Sequence, residues 1–217
     1  MTRLDPLPLF PDRGGTAVRT LADGVALMPG FVDAADLMPA VEAIAERSPF
    51  RHMVTPGGYR MSVAMTNCGR AGWVTERTGY RYDPMDPLTG RPWPPMPEAW
   101  SRLAAAAAAK AGFPVFRPDV CLINRYAPGA RLSLHRDEDE RDFSQPIVSF
   151  SIGLPAVFLL GGEKRTAKPH PIELLDGDAL VFGGPARLCF HGVRPLKAGA
   201  HPVVGECRIN LTFRHAL

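Results

Sequence analysis

Apolar and polar positions alternate strictly over "RINLTFR": Arg208, Asn210, Thr212 and Arg214 share one parity, Ile209, Leu211 and Phe213 the other. A strand sends successive side chains to opposite faces, so this segment predicts a β-strand with one apolar and one polar face. From Phe113 onward come the short apolar runs "VCLINRY", "IVSFSIG", "AVFLL", "IELL", "ALVFGG" and "RLCFHGV", separated by Pro and Gly. Such runs predict an antiparallel sandwich or barrel rather than alternating strands and helices.

The first half has another texture. "DGVALMPGFVDAADLMPAVEAIAERSPF" predicts a short strand and then a helix. Asp33 and Asp36 are both candidate caps, and Pro39 favours Asp36, because proline fits the first helical turn. A second helix is expected from Glu98 to Ala111: it follows Pro97, contains the alanine run Ala104 to Ala109 and stops at Gly112. Those alanines predict close packing on a sheet. Between the helices, "DPMDPLTGRPWPPMP" carries six prolines and is expected to be an extended loop outside any sheet. The fold class is mainly β with flanking helices, two helices bracing a jelly-roll-like barrel.

Composition adds bounds. The 217 residues are enough for one large β domain, and a hydrophobic fraction of 46% supplies a core. A net charge of +3 tolerates a polyanionic partner without announcing one. The four cysteines, Cys68, Cys121, Cys189 and Cys207, form no C-x-x-C pair, which predicts reduced, mostly buried thiols rather than a zinc ribbon or disulfide framework. "MTRLDPLPLFPDRGG" lacks the apolar stretch of a signal peptide and no segment is long enough for a membrane span, so a cytoplasmic protein is expected.

Candidate chemistry starts at "LHRDEDE". If "RLSLHRD" ends a strand, His135 and Asp137 face one side together, opposite Leu132 and Leu134. The pair alone is a weak signal, since acidic turns are usually solvated. His191, directly after "RLCF", is the histidine best placed to be aimed inward by a rigid element. Two histidines and one carboxylate form the facial triad of non-haem Fe(II) oxygenases. Burying Arg208 and Arg214 on one face of "RINLTFR" demands anions, and guanidinium forks match a dicarboxylate. Asn124 and Tyr126 are a second alternating set able to bond the same ligand.

The segments "SPFRHMVTPGGYRMSVAMTNCG", "DVCLINRYAPGARLSLHRDEDE", "PIVSFSIGLPAVF" and "RINLTFR" resemble the AlkB family of Fe(II)/2-oxoglutarate-dependent nucleic-acid dealkylases, from about Ala26 to Arg214. The resemblance implies a double-stranded β-helix (jelly roll) core with an N-terminal nucleotide-recognition lid. Residues 1–25 would be a flexible segment and 26–217 a single catalytic domain, with the lid over about 50–97 and the core over about 113–217. It implies His135, Asp137 and His191 as iron ligands, and Asn124, Tyr126, Arg208, Asn210 and Arg214 around the cosubstrate 2-oxoglutarate, with O2 as oxidant. Phe182 stands where the resemblance leads one to expect tryptophan.

For the substrate, the resemblance implies Trp73 on one side of a flipped base and His135 on the other, Tyr80 and Thr55 near the lesion strand, and Asp139 on the exocyclic amine. Met61 joins this set with core packing as its alternative. Arg165, in the basic "GGEKRTAKP" hairpin with Lys164, is a candidate for phosphate or the base edge. Glu140 is expected to face solvent, with reinforcement of the negative field at the base as its alternative. The implied activity is oxidative demethylation of 1-methyladenine and 3-methylcytosine in single- or double-stranded DNA, with RNA a further candidate, releasing formaldehyde. A monomer is expected. The alternative is a 2-oxoglutarate-dependent hydroxylase of a small molecule or protein; a noncatalytic nucleic-acid-binding or metal-sensing jelly roll is a third reading, against which the intact triad and both arginines argue.

Overall fold

In the computed structural model, which describes residues 17–217, β1 (Arg19–Ala22) and β2 (Val25–Met28) lead into helix α1 (Ala34–Arg47). Next come β3 (Arg51–Val54), β4 (Arg60–Gly69), β5 (Gly72–Glu76), β6 (Gly79–Asp83), β7 (Met85–Asp86) and β8 (Arg91–Pro92). Helix α2 (Glu98–Lys110) precedes β9 (Val120–Tyr126), β10 (Leu132–His135), β11 (Ile147–Gly153) and β12 (Ala156–Leu160). The chain closes with β13 (His170–Leu174), β14 (Ala179–Phe182), β15 (His191–Val193) and β16 (Arg208–Arg214).

An eight-stranded sheet, ordered β1-β2-β14-β11-β16-β9-β4-β3, packs on a four-stranded one, ordered β10-β15-β12-β13. This is the expected jelly roll. Val148, Phe150, Ile152, Ile209, Leu211 and Phe213 turn outward from the large sheet onto Leu37, Val41 and Ile44 of α1 and Trp100, Ala104, Ala107 and Ala108 of α2. Burying each large side chain contributes about 1.5–3 kcal/mol. The three alanines are 0% exposed, so nothing keeps α2 away from the sheet, and Trp100 meets Phe213 edge-on at 6.4 Å. The other face of the large sheet looks at the small sheet, with Leu122, Tyr126, Phe158, Leu180 and Phe182 between them.

Several expectations need correction. Asp33, not Asp36, caps α1: its backbone is extended and its carboxylate accepts from Ala35 N at 2.8 Å. Pro39 therefore lies in the second turn, tolerated because it and Ala35, whose carbonyl loses a donor, are exposed to water. Helix α2 ends at Lys110, one residue before the expected Ala111, which is its C-cap, and Gly112 follows at φ 93°. The proline-rich stretch is not wholly outside sheets, since β7 and β8 pair around a turn in which Asp86 accepts from Leu88 N at 2.9 Å. "RLCF" is not strand: Pro185 opens a 3-10 turn over Gly184–Ala186, and only His191–Val193 is extended.

The expected flexible segment over 1–25 lies mostly outside the described residues; within them, Arg19–Ala22 is a strand paired with β2. In the expected lid region, β3 and β4 continue the large sheet through the β4–β9 ladder, and β5–β6 is a separate two-stranded hairpin. Cys68 and Cys121 are buried and Cys189 and Cys207 partly so, all four free. Among the described residues, no helix is long and apolar enough to cross a membrane.

Candidate metal centre and substrate cleft

His135 and His191 are direct cross-strand partners in the β10–β15 ladder, which places both side chains on one face with ring centroids 4.4 Å apart. The close approach requires glycine next door, because a Cβ on Gly192 would lie 2.7 Å from Leu132 O. Strand β10 ends at His135 rather than continuing to Asp137, yet the carboxylate still closes the group: Oδ1 is 3.7 Å from His135 Nε2 and Oδ2 3.8 Å from His191 Nε2. The three ligand atoms lie within 4.8 Å of one another. His135 Nδ1 lies 2.9 Å from Ser133 O and His191 Nδ1 3.1 Å from Cys189 O. A carbonyl can only accept, so each Nδ1 carries the proton and each Nε2 lone pair is free for a metal.

The charges are arranged to the same end. Burial pushes the Asp137 carboxyl up, but Arg214, His191 and His135 outweigh it and hold the group well below the usual carboxylate range. Burial, aided by His135 and opposed by Asp137, pushes His191 down to about 4. At neutral pH the pocket presents one carboxylate and a neutral His191 imidazole. Two nitrogens and an oxygen suit a divalent first-row metal with open positions.

Beside this group lies a floor of buried polar side chains. Asn210 and Arg208 of β16 pair across the ladder with Asn124 and Tyr126 of β9. From β11, Ser149 Oγ accepts from Asn210 Nδ2 at 2.7 Å and Ser151 Oγ from Arg208 Nη2 at 2.9 Å. Arg208 is 1% exposed, with its guanidinium over the Tyr126 ring at 5.1 Å. Its Nε and Nη1, Arg214 Nη1 and Asn124 Oδ1 are buried without hydrogen-bond partners among the described residues. Unpaired buried cationic donors are costly, and a diacid is the ligand that would satisfy them.

The mouth of the cleft is aromatic and acidic. Trp73 of β5 stacks on Tyr80 of β6 at 5.5 Å and 17°, and its Nε1 donates to Asp139 Oδ2 at 2.7 Å. Burial pushes the Asp139 carboxyl up against the pull of that bond, with Glu140 and Asp137 adding to the rise. Thr55 sits at the β3–β4 turn, where its Oγ1 also accepts from Tyr59 N at 3.2 Å. Met61, on β4, and Arg165 line the same cleft. All fourteen expected site residues border one cleft of about 930 Å³; Lys164 does not. Several neighbours were not anticipated. Glu140 is buried rather than solvent-facing, bonded to Tyr82 and Arg187. Ser149 and Ser151 carried a legible signal, two hydroxyls at alternate positions of an otherwise apolar run; Tyr82 and Arg187 carried none. Phe182 packs on His191 at 5.1 Å.

The profile of the 2OG-Fe(II) oxygenase superfamily matches residues 24–214. The alpha-ketoglutarate-dependent dioxygenase AlkB of Escherichia coli strain K12 is 55% identical over 198 residues, which is 90% of this chain and 92% of that protein. This chain belongs to the AlkB family of 2OG-Fe(II) oxygenases. An AlkB homolog of Caulobacter vibrioides is 43% identical over 201 residues, covering 91% of this chain and 90% of the relative. The solved structure of OsALKBH1 superposes with a TM-score of 0.81 at 30% identity, over 92% of this chain and all of that one. The oxygenase is thus an Fe(II)- and 2-oxoglutarate-dependent dioxygenase using O2, and the free imidazole nitrogens and unpaired guanidinium donors fit those groups.

Proposed function

We infer that this oxygenase is an oxidative demethylase of N-alkylated nucleobases, acting on 1-methyladenine and 3-methylcytosine in DNA, and in RNA where a base is presented unpaired. The observation that carries this reading is the continuity of one cleft from the His135, Asp137 and His191 group to the Trp73, Tyr80 and Asp139 mouth. When bound, Fe(II), 2-oxoglutarate and O2 supply the oxidation of an N-methyl group, which is lost as formaldehyde.

The chain's own residues hold, orient and select. His135, Asp137 and His191 would hold the iron through Nε2, a carboxylate oxygen and Nε2. Arg208 and Arg214 would meet the two charges of 2-oxoglutarate with the donors that have no other partner, while Asn124, Tyr126 and Asn210 complete the floor. Methylation at N1 of adenine or N3 of cytosine leaves the base cationic. Trp73 offers such a base a π-face and Asp139 a carboxylate, so a damaged base is favoured over a neutral intact one. Trp73 also orients Asp139 through the indole bond. Flipping costs less where methylation has already broken pairing, so lesions and single strands are the preferred substrates. A cytoplasmic monomer is the state in which we expect it to act.

The test is anaerobic loading with Fe(II) and 2-oxoglutarate, followed by O2 and a methylated oligonucleotide. Formaldehyde matching succinate, with the base restored, is expected. Succinate without base repair would instead indicate a small-molecule or protein hydroxylase.

A further inference from the structure

One buried carboxylate, outside the lining of the cleft, is bonded to neighbours of both its parts. Glu140 is 6% exposed. Tyr82 OH donates to its Oε1 at 2.6 Å, Arg187 Nη2 donates to Oε2 at 3.0 Å, and Arg214 Nε lies 3.3 Å from Oε1. Arg187, 2% exposed, also donates Nη1 to Asp137 O at 2.8 Å and Nε to Gln145 O at 3.0 Å. Arg214 in turn grips Asp137 Oδ2 through Nη2 at 2.6 Å and Nε at 3.0 Å. On the other side, Tyr82 is the cross-strand partner of Trp73 in the β5–β6 hairpin. Residues directly opposite share a face. Consecutive acids, Asp139 and Glu140, therefore each accept from one member of this aromatic pair.

The charges give Glu140 a reason to be there. Two guanidiniums, Arg187 and Arg214, are balanced by two carboxylates, Asp137 and Glu140. A carboxylate that ligates a dication has less charge left for its arginine, and a buried guanidinium short of an anion is strongly unfavourable. Glu140 is the counter-ion that remains to Arg214.

We propose that Glu140, held by Arg187, is a positioning residue that couples the two parts of the cleft: it keeps Arg214 set against Asp137 and, through Tyr82, fixes the aromatic hairpin. The identity of the base held by that hairpin rests on the demethylase reading above; the link to Asp137 and Arg214 does not.

Glu140→Gln, Tyr82→Phe and the double variant test this. With Co(II) in place of Fe(II), the d–d absorption reports the metal's surroundings without turnover. Glu140→Gln is expected to shift that spectrum and to raise KM for both 2-oxoglutarate and a 1-methyladenine trinucleotide about fivefold or more. Tyr82→Phe is expected to raise the trinucleotide KM about threefold and the 2-oxoglutarate KM less than twofold. Glutamine has one acceptor oxygen where the carboxylate had two; the charged Arg187 keeps it and Tyr82 loses its acceptor, so the double variant should bind trinucleotide no worse than Glu140→Gln alone. Additive losses, or a lower Tm with unchanged spectrum and KM values, would overturn the proposal. Tyr82→Phe keeps every charge, so it decides the hairpin half even where Glu140→Gln fails to fold, and an unchanged trinucleotide KM in it sinks that half. Should the wild-type enzyme turn over 2-oxoglutarate without repairing the trinucleotide, the demethylase reading fails, and the Co(II) spectrum of Glu140→Gln still decides the metal half.

Discussion

The floor and the mouth of the cleft are built from different materials. The floor residues Asn124, Ser149, Ser151, Arg208, Asn210, Thr212 and Arg214 stand on β9, β16 and β11, adjacent strands inside the eight-stranded sheet, and all are buried. Each of these strands has a ladder on both sides and a helix-backed apolar core behind it. The mouth stands on a two-stranded hairpin (Trp73, Tyr80), a turn (Thr55) and loops (Asp139, Arg165), and Tyr80 is 49% exposed. Groups that must meet a small diacid need fixed geometry, which a doubly flanked strand supplies; groups that meet a polymer of varied sequence are carried on short elements that can vary without disturbing the sheet.

The sharpest break of that comparison is Asp137→Ala. Loss of one of the three proposed metal ligands is expected to lower kcat/KM for a methylated oligonucleotide by roughly a thousandfold or more. Formaldehyde release is the measurement, and residual turnover within tenfold of wild type would remove Asp137 from the ligand set.

Arg208→Met tests the floor without touching the metal group. Truncating one member of a buried charge pair costs about 2–5 kcal/mol, so the KM for 2-oxoglutarate should rise about a hundredfold while the trinucleotide KM stays within about twofold. Stability should move the other way. Arg208 is a buried cation with two unpaired donors, and burial pulls its pKa down, with Tyr126 opposing; an apolar side chain of similar length is expected to leave Tm unchanged or higher in the absence of cosubstrate. A fall in Tm with an unchanged 2-oxoglutarate KM would show that Arg208 serves the fold instead.

His191 offers a pH test of the metal group beside that floor. Its folded-state pKa, about 4, is below the ordinary 6.5. Between those values the unfolded chain binds a proton that the native state refuses. The contribution is therefore complete above pH 6.5 and is lost as pH falls toward 4, by about 3 kcal/mol in all. Urea denaturation of the metal-free enzyme at pH 7 and 4.5, beside His191→Gln, isolates this loss; parallel stability curves for the two proteins would contradict it.

How much of this was legible follows the same division. The floor was readable because β16 alternates with period 2, so the polar parity of Arg208, Asn210, Thr212 and Arg214 marked the cleft face before any partner was known. The helix of alanines ending at Gly112 was readable for a similar reason, a local pattern with a local stop. Glu140 was not readable. In "DEDE" it looks like one more solvated acid, and its partners Tyr82 and Arg187 are 58 and 47 positions away in the chain. The strand expected over "RLCF" failed because Pro185 starts a turn and the Arg187 side chain is drawn inward to Asp137, Gln145 and Glu140. Patterns within a segment were visible; pairings between distant segments that neutralise buried charge were not.

At the mouth the expected effects are smaller. Trp73→Ala removes a stacking face and the donor to Asp139, and stacking on a base is worth about 1–3 kcal/mol, so the trinucleotide KM should rise about tenfold with little change in the 2-oxoglutarate KM. An equal rise in both would mean that the hairpin shapes the floor as well as the mouth.

The smallest expected effect is also the most specific. Asp139→Asn keeps an oxygen that can accept from Trp73 Nε1, so the geometry of the mouth is preserved while its charge is removed. Asp139 lies close enough to water for screening to limit a charge–charge attraction to about 1 kcal/mol, or roughly fivefold. That fivefold should appear in KM for 1-methyladenine, which is cationic, and be absent for a neutral N-methylated base in the same trinucleotide. It should also shrink as salt is raised from 0.05 to 0.5 M, because exposed charges are screened over a shorter distance. If cationic and neutral bases lose equally, Asp139 acts by shape or by holding Trp73, and charge selection at the mouth has to be sought in another residue.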